Sequence, residues 1–312
     1  MNIGIDLGGT NIAAAVVDRD GAIIRRTAVP TPSRGGAKAV TDGMMRVCEM
    51  LSEEEGSISS IGIGIPGIVN NETGEILYTT NLPLDGTNIA EILNAKFHCP
   101  VYLENDANCA ALGETIAGGT KGAQDVVFIT LGTGIGGGII IGGRLLTGIN
   151  GAAGEIGHMV VVSGGRQCEC GRKGCWERYA SATGIARTAN EFMETHRDSV
   201  LWKLCGGNPD DINGKNVFDA YHLGDRAAEK TVGLFVEHLA EGVANIINFL
   251  EPDMFCIGGG LSNEWDSFVT PLLEAVNASI IARHAAKLPK TRIVKATLGN
   301  DAGIIGAAML GA

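Results

Sequence analysis

A strand, a glycine-containing turn and a second strand occur twice along this chain. Residues 5–10 read Ile-Asp-Leu-Gly-Gly-Thr, and residues 129–134 read Ile-Thr-Leu-Gly-Thr-Gly. Each copy continues into an apolar strand, a further glycine turn and an apolar pair at 23–24 or 145–146. A unit used twice predicts two related domains that each present one turn to a common cleft. Glycine-rich hairpins can also resemble each other by chance, but the length of the match favours duplication.

The order of predicted elements is typical of an α/β fold with a mixed sheet. The chain has 312 residues, which is enough for about two domains. A run of strands followed by alternating helices and strands predicts such a sheet. Apolar runs and helical spacing predict strands at Asn2–Asp6, Ile12–Asp18, Ala22–Ala28, Ile61–Ile65, Val101–Leu103, Val126–Leu131, Ile139–Ile141 and Met254–Ile257, and helices at 40–51, Ala107–Ala117, 232–250, Pro271–Ala282 and Ile304–Leu310.

The charge balance and the N-terminus exclude several functions. The chain has 24 basic and 35 acidic side chains, so no nucleic-acid partner is expected, because a polyanion is bound by clustered Lys and Arg. The N-terminus lacks the basic and apolar regions of a secretory signal. Residues 126–143 are 18 uncharged residues, but seven of them are glycine, which disfavours a membrane helix. We therefore expect no membrane attachment, a cytoplasmic location and mostly reduced cysteines.

Three cysteines within eight residues form the most specific motif. Cys168, Cys170 and Cys175 follow His158 by ten residues or more, and glycines at 171 and 174 allow a tight loop. Three thiolates and one imidazole complete a tetrahedral zinc shell without an open position, which predicts a structural zinc ion. The alternatives are unbound reduced cysteines or a disulfide, and a cytosolic location disfavours the disulfide.

The two glycine turns, Asp6–Thr10 and Gly132–Gly138, are candidate phosphate sites. Glycines let phosphate oxygens approach backbone N–H groups, and Asp6 could hold hydrated Mg²⁺. The second turn also has the G-x-G-x-x-G spacing of dinucleotide sites, but it leads into a predicted strand rather than a helix. Each turn alone could be an ordinary hairpin. Gly258–Gly260, after another strand, is a third candidate approach point.

Glu104-Asn105-Asp106 lies where a strand is expected to meet a helix. Asp106 could simply cap that helix, which is the commoner role of an aspartate at this position. In phosphoryl transfer, an aspartate also accepts the proton of the attacking hydroxyl. Glu155, His158 and Glu177 are further groups able to bind a polyhydroxylated ligand, although glutamates are usually solvated.

Together these motifs, in order across nearly the whole chain, resemble the ROK family of sugar kinases and sugar-responsive repressors, most of all its bacterial glucokinases. The combination of the cysteine cluster with Glu-x-Gly-His at 155–158 is highly specific, whereas the glycine turns occur throughout the actin-like ATPase fold. The resemblance implies two actin-like α/β domains with a cleft that closes over sugar and ATP. The smaller would comprise residues 1–118 joined by a helix at 301–312, and the larger residues 119–300 with the zinc-binding loop.

The resemblance also implies an activity: ATP-dependent phosphorylation of glucose at its 6-hydroxyl to glucose 6-phosphate, a reaction of glycolysis, by a homodimer or homotetramer. Asp106 would be the catalytic base. Asn11 departs from the family, in which many members carry Lys. The implied contacts are Gly67, Asn81, Asn105, Asp106, Glu155, His158 and Glu177 with sugar, Asp6, Gly8, Gly9, Thr10, Asn11, Gly132, Thr133, Gly134, Gly259 and Gly260 with Mg-ATP, and His158, Cys168, Cys170 and Cys175 with zinc.

Two alternatives remain within this resemblance. A kinase for another sugar, such as N-acetylmannosamine, fructose or mannose, would use the same machinery, and residues 65–85 are expected to contribute to that choice. A repressor would carry a DNA-binding helix-turn-helix before the first turn, and a strand is expected from Asn2 instead. A non-catalytic sugar sensor is disfavoured because Asp106 and both turns are retained.

Overall fold

The computed structural model describes residues 1–55, 58–79, 81–285 and 290–312. The chain divides into two compact units. The first contains residues 1–128, 137–154 and 296–312, and the second contains residues 129–136 and 155–295. In the described part of the chain, no helix combines the length and the apolar character needed to cross a bilayer.

The first half of the chain forms a mixed five-stranded sheet and a separate hairpin. Its elements are β1 (Asn2–Leu7), β2 (Asn11–Val17), β3 (Ile23–Pro30), α1 (Gly36–Glu55), β4 (Ser60–Ile65), β5 (Gly67–Asn70), β6 (Glu75–Thr79), α2 (Ile89–Phe97), β7 (Val101–Asn105) and α3 (Asp106–Ala117). The sheet has the order β3-β2-β1-β4-β7. β2 is antiparallel to β1 and β3, whereas β4 is parallel to β1 and β7. The expected mixed sheet is confirmed.

The second half repeats this strand order. Its elements are β8 (Val126–Leu131), β9 (Ile135–Ile141), β10 (Arg144–Leu145), α4 (Glu177–Ala180), α5 (Ala182–Met193), α6 (Leu201–Leu204), α7 (Gly214–His222), α8 (Arg226–Leu250), β11 (Met254–Gly258), α9 (Trp265–Ser279), β12 (Arg292–Lys295) and α10 (Asp301–Ala308). The sheet has the order β10-β9-β8-β11-β12.

Helix α10 packs against the first sheet at two glycines. A Cβ added to Gly4 in β1 would strike the carbonyl oxygen of Ile304, and one added to Gly62 in β4 would strike that of Ala307. The absence of side chains at these positions lets the helix backbone contact the sheet. The apolar face of α10 is therefore buried in the first unit, as the composition of 304–310 predicted.

Several predicted boundaries were wrong: α1 begins at Gly36 rather than 40 and α8 at Arg226 rather than 232, and two further differences have a physical reason. β9 begins at Ile135, four residues before the predicted strand, so Gly136–Gly138 belong to the strand rather than to the turn. A Cβ on Gly138 would lie 2.5 Å from Cβ of Ala111, so glycine allows this strand to approach α3. α9 begins at Trp265 and contains Pro271 in its interior, where we had placed its start.

Packing explains the longer α9. Phe268 is fully buried, and its ring lies 5.5 Å from that of Phe235 and 6.5 Å from that of Phe218. Burial of an aromatic side chain contributes about 2–3 kcal/mol, which offsets much of the cost of a proline inside a helix. Residue propensity alone could not reveal this contact.

Candidate active site and metal centre

The first glycine turn, between β1 and β2, is closed by backbone hydrogen bonds and is open at its tip. The N–H of Gly8 donates to the carbonyl of Asn11 at 2.9 Å, and Thr31 Oγ1 donates to the carbonyl of Gly8 at 2.7 Å. Gly9 is exposed, and a Cβ there would meet no atom within 4 Å. The turn therefore leaves space beside its backbone for a ligand.

Asp6 lies at the base of this turn, next to α10. Burial raises the pKa of its carboxyl group. A Cβ placed on Gly303 would lie 3.4 Å from Cγ of Asp6, so the helix passes close to the carboxylate. A carboxylate partly withdrawn from water is an oxygen ligand that fits Mg²⁺, since a bound cation would compensate for the lost hydration.

The second glycine turn, between β8 and β9, is held by the first turn of α5. The N–H of Ala182 donates to the carbonyl of Gly132 at 2.8 Å, and Thr183 Oγ1 donates to the carbonyl of Thr133 at 2.7 Å. Gly259, with φ of 83°, lies so close to Leu131 that a Cβ would clash with the Leu131 backbone. The glycine stretch after β11 is thereby placed against the second turn, a contact that sequence reasoning did not predict.

Asp106 begins α3 directly after β7, as predicted. The preceding residue, Asn105, is the N-cap: its Oδ1 accepts from the N–H of Ala107 at 2.9 Å and of Asn108 at 3.2 Å. Its Nδ2 donates to the carbonyl of Gly67 at 3.1 Å, which leaves one amide hydrogen for a ligand. Asn105 therefore performs the capping that the sequence also allowed for Asp106.

Gly67 and Asn81 flank the β5–β6 hairpin. A Cβ on Gly67 would strike the carbonyl of Tyr78, so the hairpin requires glycine at this position. Asn81 has φ of 64°, in the left-handed region. Asp85 Oδ1 accepts hydrogen bonds from N and Oγ1 of Thr79, both at 2.8 Å, and so holds the end of β6 two residues before Asn81.

The four predicted metal ligands meet in the second unit. One ligand atom from each of His158, Cys168, Cys170 and Cys175 lies within 4.8 Å of every other. Cys170 Sγ lies 3.5 Å from Cys175 Sγ, and Cys168 Sγ lies 3.6 Å from His158 Nδ1. A tetrahedral zinc shell requires about 3.6–3.8 Å between such atoms, given Zn–S and Zn–N distances of about 2.3 and 2.0 Å. The residues therefore fit a closed zinc site.

Two glutamates flank His158 beside this cluster. Glu155 Oε2 lies 3.9 Å from Nε2 of His158, and Glu177 Oε1 lies 3.6 Å from Nδ1. Glu177 Oε1 also accepts from the Cys168 thiol at 3.1 Å, and a Cβ on Gly134 would lie 2.5 Å from Glu177 Oε2. The second unit thus brings Glu155, His158 and Glu177 together and joins them to the second glycine turn, a convergence that the residues alone could not show.

Sequence reasoning missed the supports of these groups. Arg166 lies just before the cysteine loop. Its Nη1 donates to the carbonyl of Arg178 at 2.9 Å, and its Nη2 donates to Glu191 Oε2 at 2.7 Å. Its guanidinium lies 4.8 Å from the ring centre of Tyr179. Glu104 is buried beside Asp106 and accepts three hydrogen bonds. The available signal for Glu104 was a carboxylate directly after the predicted strand Val101–Leu103 and before the Asn105-Asp106 pair.

Comparison with known proteins covers the whole chain. The model of the ROK family matches residues 2–312. A glucokinase of Streptomyces coelicolor is 38% identical over 99% of this chain and 97% of its own length, and an N-acetyl-D-glucosamine kinase of Shigella boydii is 33% identical over 99% of both chains. A crystal structure of a ROK family glucokinase from Streptomyces griseus, in complex with glucose and AMPPNP, has a TM-score of 0.83 and 35% identity, with 99% of this chain and 98% of that chain covered.

These comparisons confirm the resemblance drawn from the motifs and the actin-like fold that it implied. Because the family model spans nearly every residue, the chain belongs to the ROK family.

Proposed function

We propose that this chain is an ATP-dependent sugar kinase that phosphorylates the 6-hydroxyl of glucose. The observation that carries the proposal is a carboxylate, Asp106, at the junction of β7 and α3, in a chain similar over its whole length to glucokinases. The Streptomyces griseus relative was crystallised with glucose and an ATP analogue, which supports the same pair of substrates here.

In the proposed reaction, Asp106 accepts the proton of the sugar 6-hydroxyl. The hydroxyl oxygen then forms a bond to the γ-phosphorus of ATP, and the bond from that phosphorus to the oxygen bridging to the β-phosphate breaks. ADP leaves with the bonding electron pair, and the sugar leaves as its 6-phosphate. Such a base contributes roughly 10²- to 10⁴-fold to the rate.

The two glycine turns are proposed to bind the phosphates of ATP. The N–H groups of Gly8 and Gly132 close their own turns, so the donors to phosphate would come from the rest of the segments Gly8–Asn11 and Gly132–Gly134, with Gly259 and Gly260 beside the second turn. Mg²⁺ bound near Asp6 would neutralise phosphate charge. The residues proposed to hold the sugar are Gly67, Asn81, Asn105, Glu155, His158 and Glu177.

Zinc is proposed at His158 and the three cysteines, as a structural ion. The closed set of four ligands supports this role, because it leaves no position for a substrate. The loop that carries Glu155 and His158 would be stabilised by the ion. The remaining expectations from the family resemblance, a cytoplasmic location and a homodimer or homotetramer, are part of the same proposal.

A kinase for an N-acetylhexosamine is the second candidate. The observation in its favour is the N-acetyl-D-glucosamine kinase that is 33% identical over 99% of both chains. Both activities would use Asp106 and the same glycine turns, since discrimination between such sugars requires only a few kcal/mol around one substituent.

The test is a coupled assay of ADP formation with Mg-ATP and a panel of hexoses and N-acetylhexosamines. We expect glucose to give the highest kcat/KM. A preference for an N-acetylhexosamine, fructose or mannose would change the substrate and retain the kinase. Folded, zinc-loaded protein without turnover on any sugar would contradict the kinase and favour a sugar sensor.

A further inference from the structure

Glu104 is a buried carboxylate immediately before the Asn105-Asp106 pair. Its exposed fraction is 2%, and three N–H donors point at it. The N–H of Asn105 and Nδ2 of Asn108 donate to Oε1 at 2.8 and 2.9 Å, and Nδ2 of Asn71 donates to Oε2 at 2.6 Å. A carboxylate is the side chain that accepts on both oxygens without needing a donor of its own.

The three donors belong to the segments around Asp106. Asn105 precedes it and caps α3, and Asn108 lies in the first turn of the same helix. Asn71 lies in the turn of the β5–β6 hairpin, which Asn105 Nδ2 also contacts through the carbonyl of Gly67. Glu104 thus connects the hairpin to both sides of Asp106.

A buried carboxylate such as Glu104 is energetically unfavourable compared with an apolar side chain. Desolvation of a carboxylate costs several kcal/mol unless hydrogen bonds compensate for it, and an apolar residue of similar volume would often be more stabilising. Glu104 nevertheless carries a carboxylate two residues before Asp106, whose position matters most for the proposed chemistry. Its role is therefore in the arrangement of its three donors.

A second buried carboxylate, in the helix α3 that follows Glu104, provides the contrast. Glu114 has an exposed fraction of 0% and accepts from the N–H groups of Gly119, Thr297 and Leu298 at 2.7, 3.0 and 2.8 Å. Glu114 is as buried as Glu104 and also accepts from three N–H groups, all of them from the backbone. Its partners, however, lie after the end of α3 and before the start of α10, and not beside Asp106. Glu114 therefore serves as a matched control for a purely structural carboxylate.

We infer that Glu104 is a positioning residue for Asp106, and that it couples the placement of the β5–β6 hairpin to that of the base. The inference rests on the proposed function for the role of Asp106. The contact between Glu104 and Asn71 carries the coupling, and it can be altered from the surface because Asn71 is exposed.

The first experiment exchanges the donor and the acceptor across this contact. Asn71→Asp places two carboxylates together, and we expect kcat to fall about 10- to 100-fold because a displacement near 1 Å at the base has that effect. The double variant Asn71→Asp/Glu104→Gln restores a complementary pair, since the new amide donates to the new carboxylate while its oxygen still faces Asn105 and Asn108. We expect it to recover at least about tenfold of the lost kcat.

The control is Glu114→Gln, for which we expect a lower melting temperature with kcat and KM for sugar within about twofold of the wild type. Glu104→Ala can fail to fold because it leaves buried N–H groups without partners, so the conclusion depends on the surface variant and the exchange. A double variant no more active than Asn71→Asp, or Asn71→Asp with unchanged kcat, would overturn the inference.

The second experiment needs no substrate. Amide hydrogen exchange at Asn105, Ala107 and Asn108 is compared in the wild type, Asn71→Asp and the double variant, with the amides of α8 as an internal reference. We expect at least about tenfold faster exchange in the single variant and recovery in the double variant. That result in a protein without sugar kinase activity would retain the positioning role and reject the proposed function. Unchanged exchange would reject the positioning role.

Discussion

The two five-stranded sheets have the same strand order, but their insertions differ. In each sheet the first strand and a glycine turn lead to two further strands on one side, and two later strands lie on the other. The first half inserts the β5–β6 hairpin and α2 after its fourth strand, β4. The second half instead inserts the cysteine loop and α4–α7 after β10. The repeated parts contain the candidate phosphate turns, and the insertions contain most candidate sugar and metal residues.

This difference separates the proposed phosphate binding, which both halves would share, from the proposed sugar recognition, which depends on features of each half. A sheet edge with a glycine turn is a general way to bind a phosphate, so duplication preserves it. Recognition of one sugar requires particular side chains, and most of the proposed ones lie where the two halves are unlike: Asn81 near the hairpin, and Glu155, His158 and Glu177 around the cysteine loop. We therefore expect changes in the repeated parts and in the insertions to have different effects.

The largest expected effect is that of Asp106→Asn. Removal of the proposed base should lower kcat about 10²- to 10⁴-fold with little change in stability, because Asn105, and not Asp106, caps α3. Steady-state kinetics and thermal unfolding measure the two quantities. Asp266→Asn, also in the first turn of a helix but in the second unit, is the control and should retain full activity. Unchanged kcat in Asp106→Asn would contradict the base.

Cys170→Ser should have the next largest effect. Loss of an inner metal ligand should lower zinc affinity by more than the roughly 10- to 100-fold seen for outer-shell changes, and should lower the melting temperature. Metal content and chelator competition measure this. Cys205→Ser is the matched control, because its thiol already donates to the carbonyl of Trp202 at 3.5 Å and a hydroxyl can replace it. Active wild-type protein without about one zinc per chain would exclude the metal centre.

Two aspartates should respond to pH with opposite signs. Asp225 caps α8, and although burial alone would raise its pKa, hydrogen bonds from Ala228, Val200, Ser199 and Ala227 lower it on balance from 3.8. In Asp225→Asn an amide nitrogen would replace the oxygen that accepts from the N–H of Val200, which should cost about 1–2 kcal/mol in the free energy of unfolding at pH 7. The loss should disappear as the pH falls below 3.8 through the lowered folded-state pKa.

For Asp6, burial raises the pKa, so its ionised form destabilises the folded state at neutral pH. Asp6→Asn should increase stability at pH 7, and the gain should shrink as the pH falls through the raised folded-state pKa towards the ordinary 3.8. Urea unfolding at several pH values measures both variants. Destabilisation by Asp6→Asn would show that the Asp6 carboxylate stabilises the fold, which would contradict its interpretation as a ligand held at a cost in stability.

The smallest expected effect is that of Gly134→Ala. The new methyl group would meet only the tip of Glu177, which can move, so stability should change little. The displaced carboxylate should raise the KM for sugar about 3- to 10-fold if Glu177 binds a hydroxyl, since one hydrogen bond contributes about 0.5–1.5 kcal/mol. Gly233→Ala, at an exposed position of α8 with open space, is the control and should be neutral for KM. An unchanged KM in Gly134→Ala would remove Glu177 from the sugar site.

Much of the fold was predictable because its signals are local. The apolar run of β4 and the helical spacing of α8 lie within single elements. β4 was found within one residue of its predicted bounds, and α8 ends where predicted but begins at Arg226 rather than 232. The cluster of candidate zinc ligands was predictable for the same reason, since three of its four residues lie within eight residues of one another. The domain boundaries at 118 and 300 stay a prediction.

Contacts between residues far apart in the chain could not be predicted in this way. Thr183 bonds to Thr133 across 50 residues, and Thr297 bonds to Glu114 across 183 residues. Pro271 lies inside α9 because Phe268 packs against rings from two other helices. In each case the free energy comes from a partner distant in the chain, so neither spacing nor propensity contains the information.

The sequence by itself determined the strand and helix pattern, the repeated glycine turns, the candidate metal ligands and the identity of the candidate base. Each of these follows from residue type and short spacing. The tertiary structure decided that Asn105 caps α3, that Gly259 lies against the second turn, and that Glu104 joins the hairpin to Asp106 through three hydrogen bonds. These depend on close approach of backbone segments, which packing of the whole unit sets and which no single segment specifies.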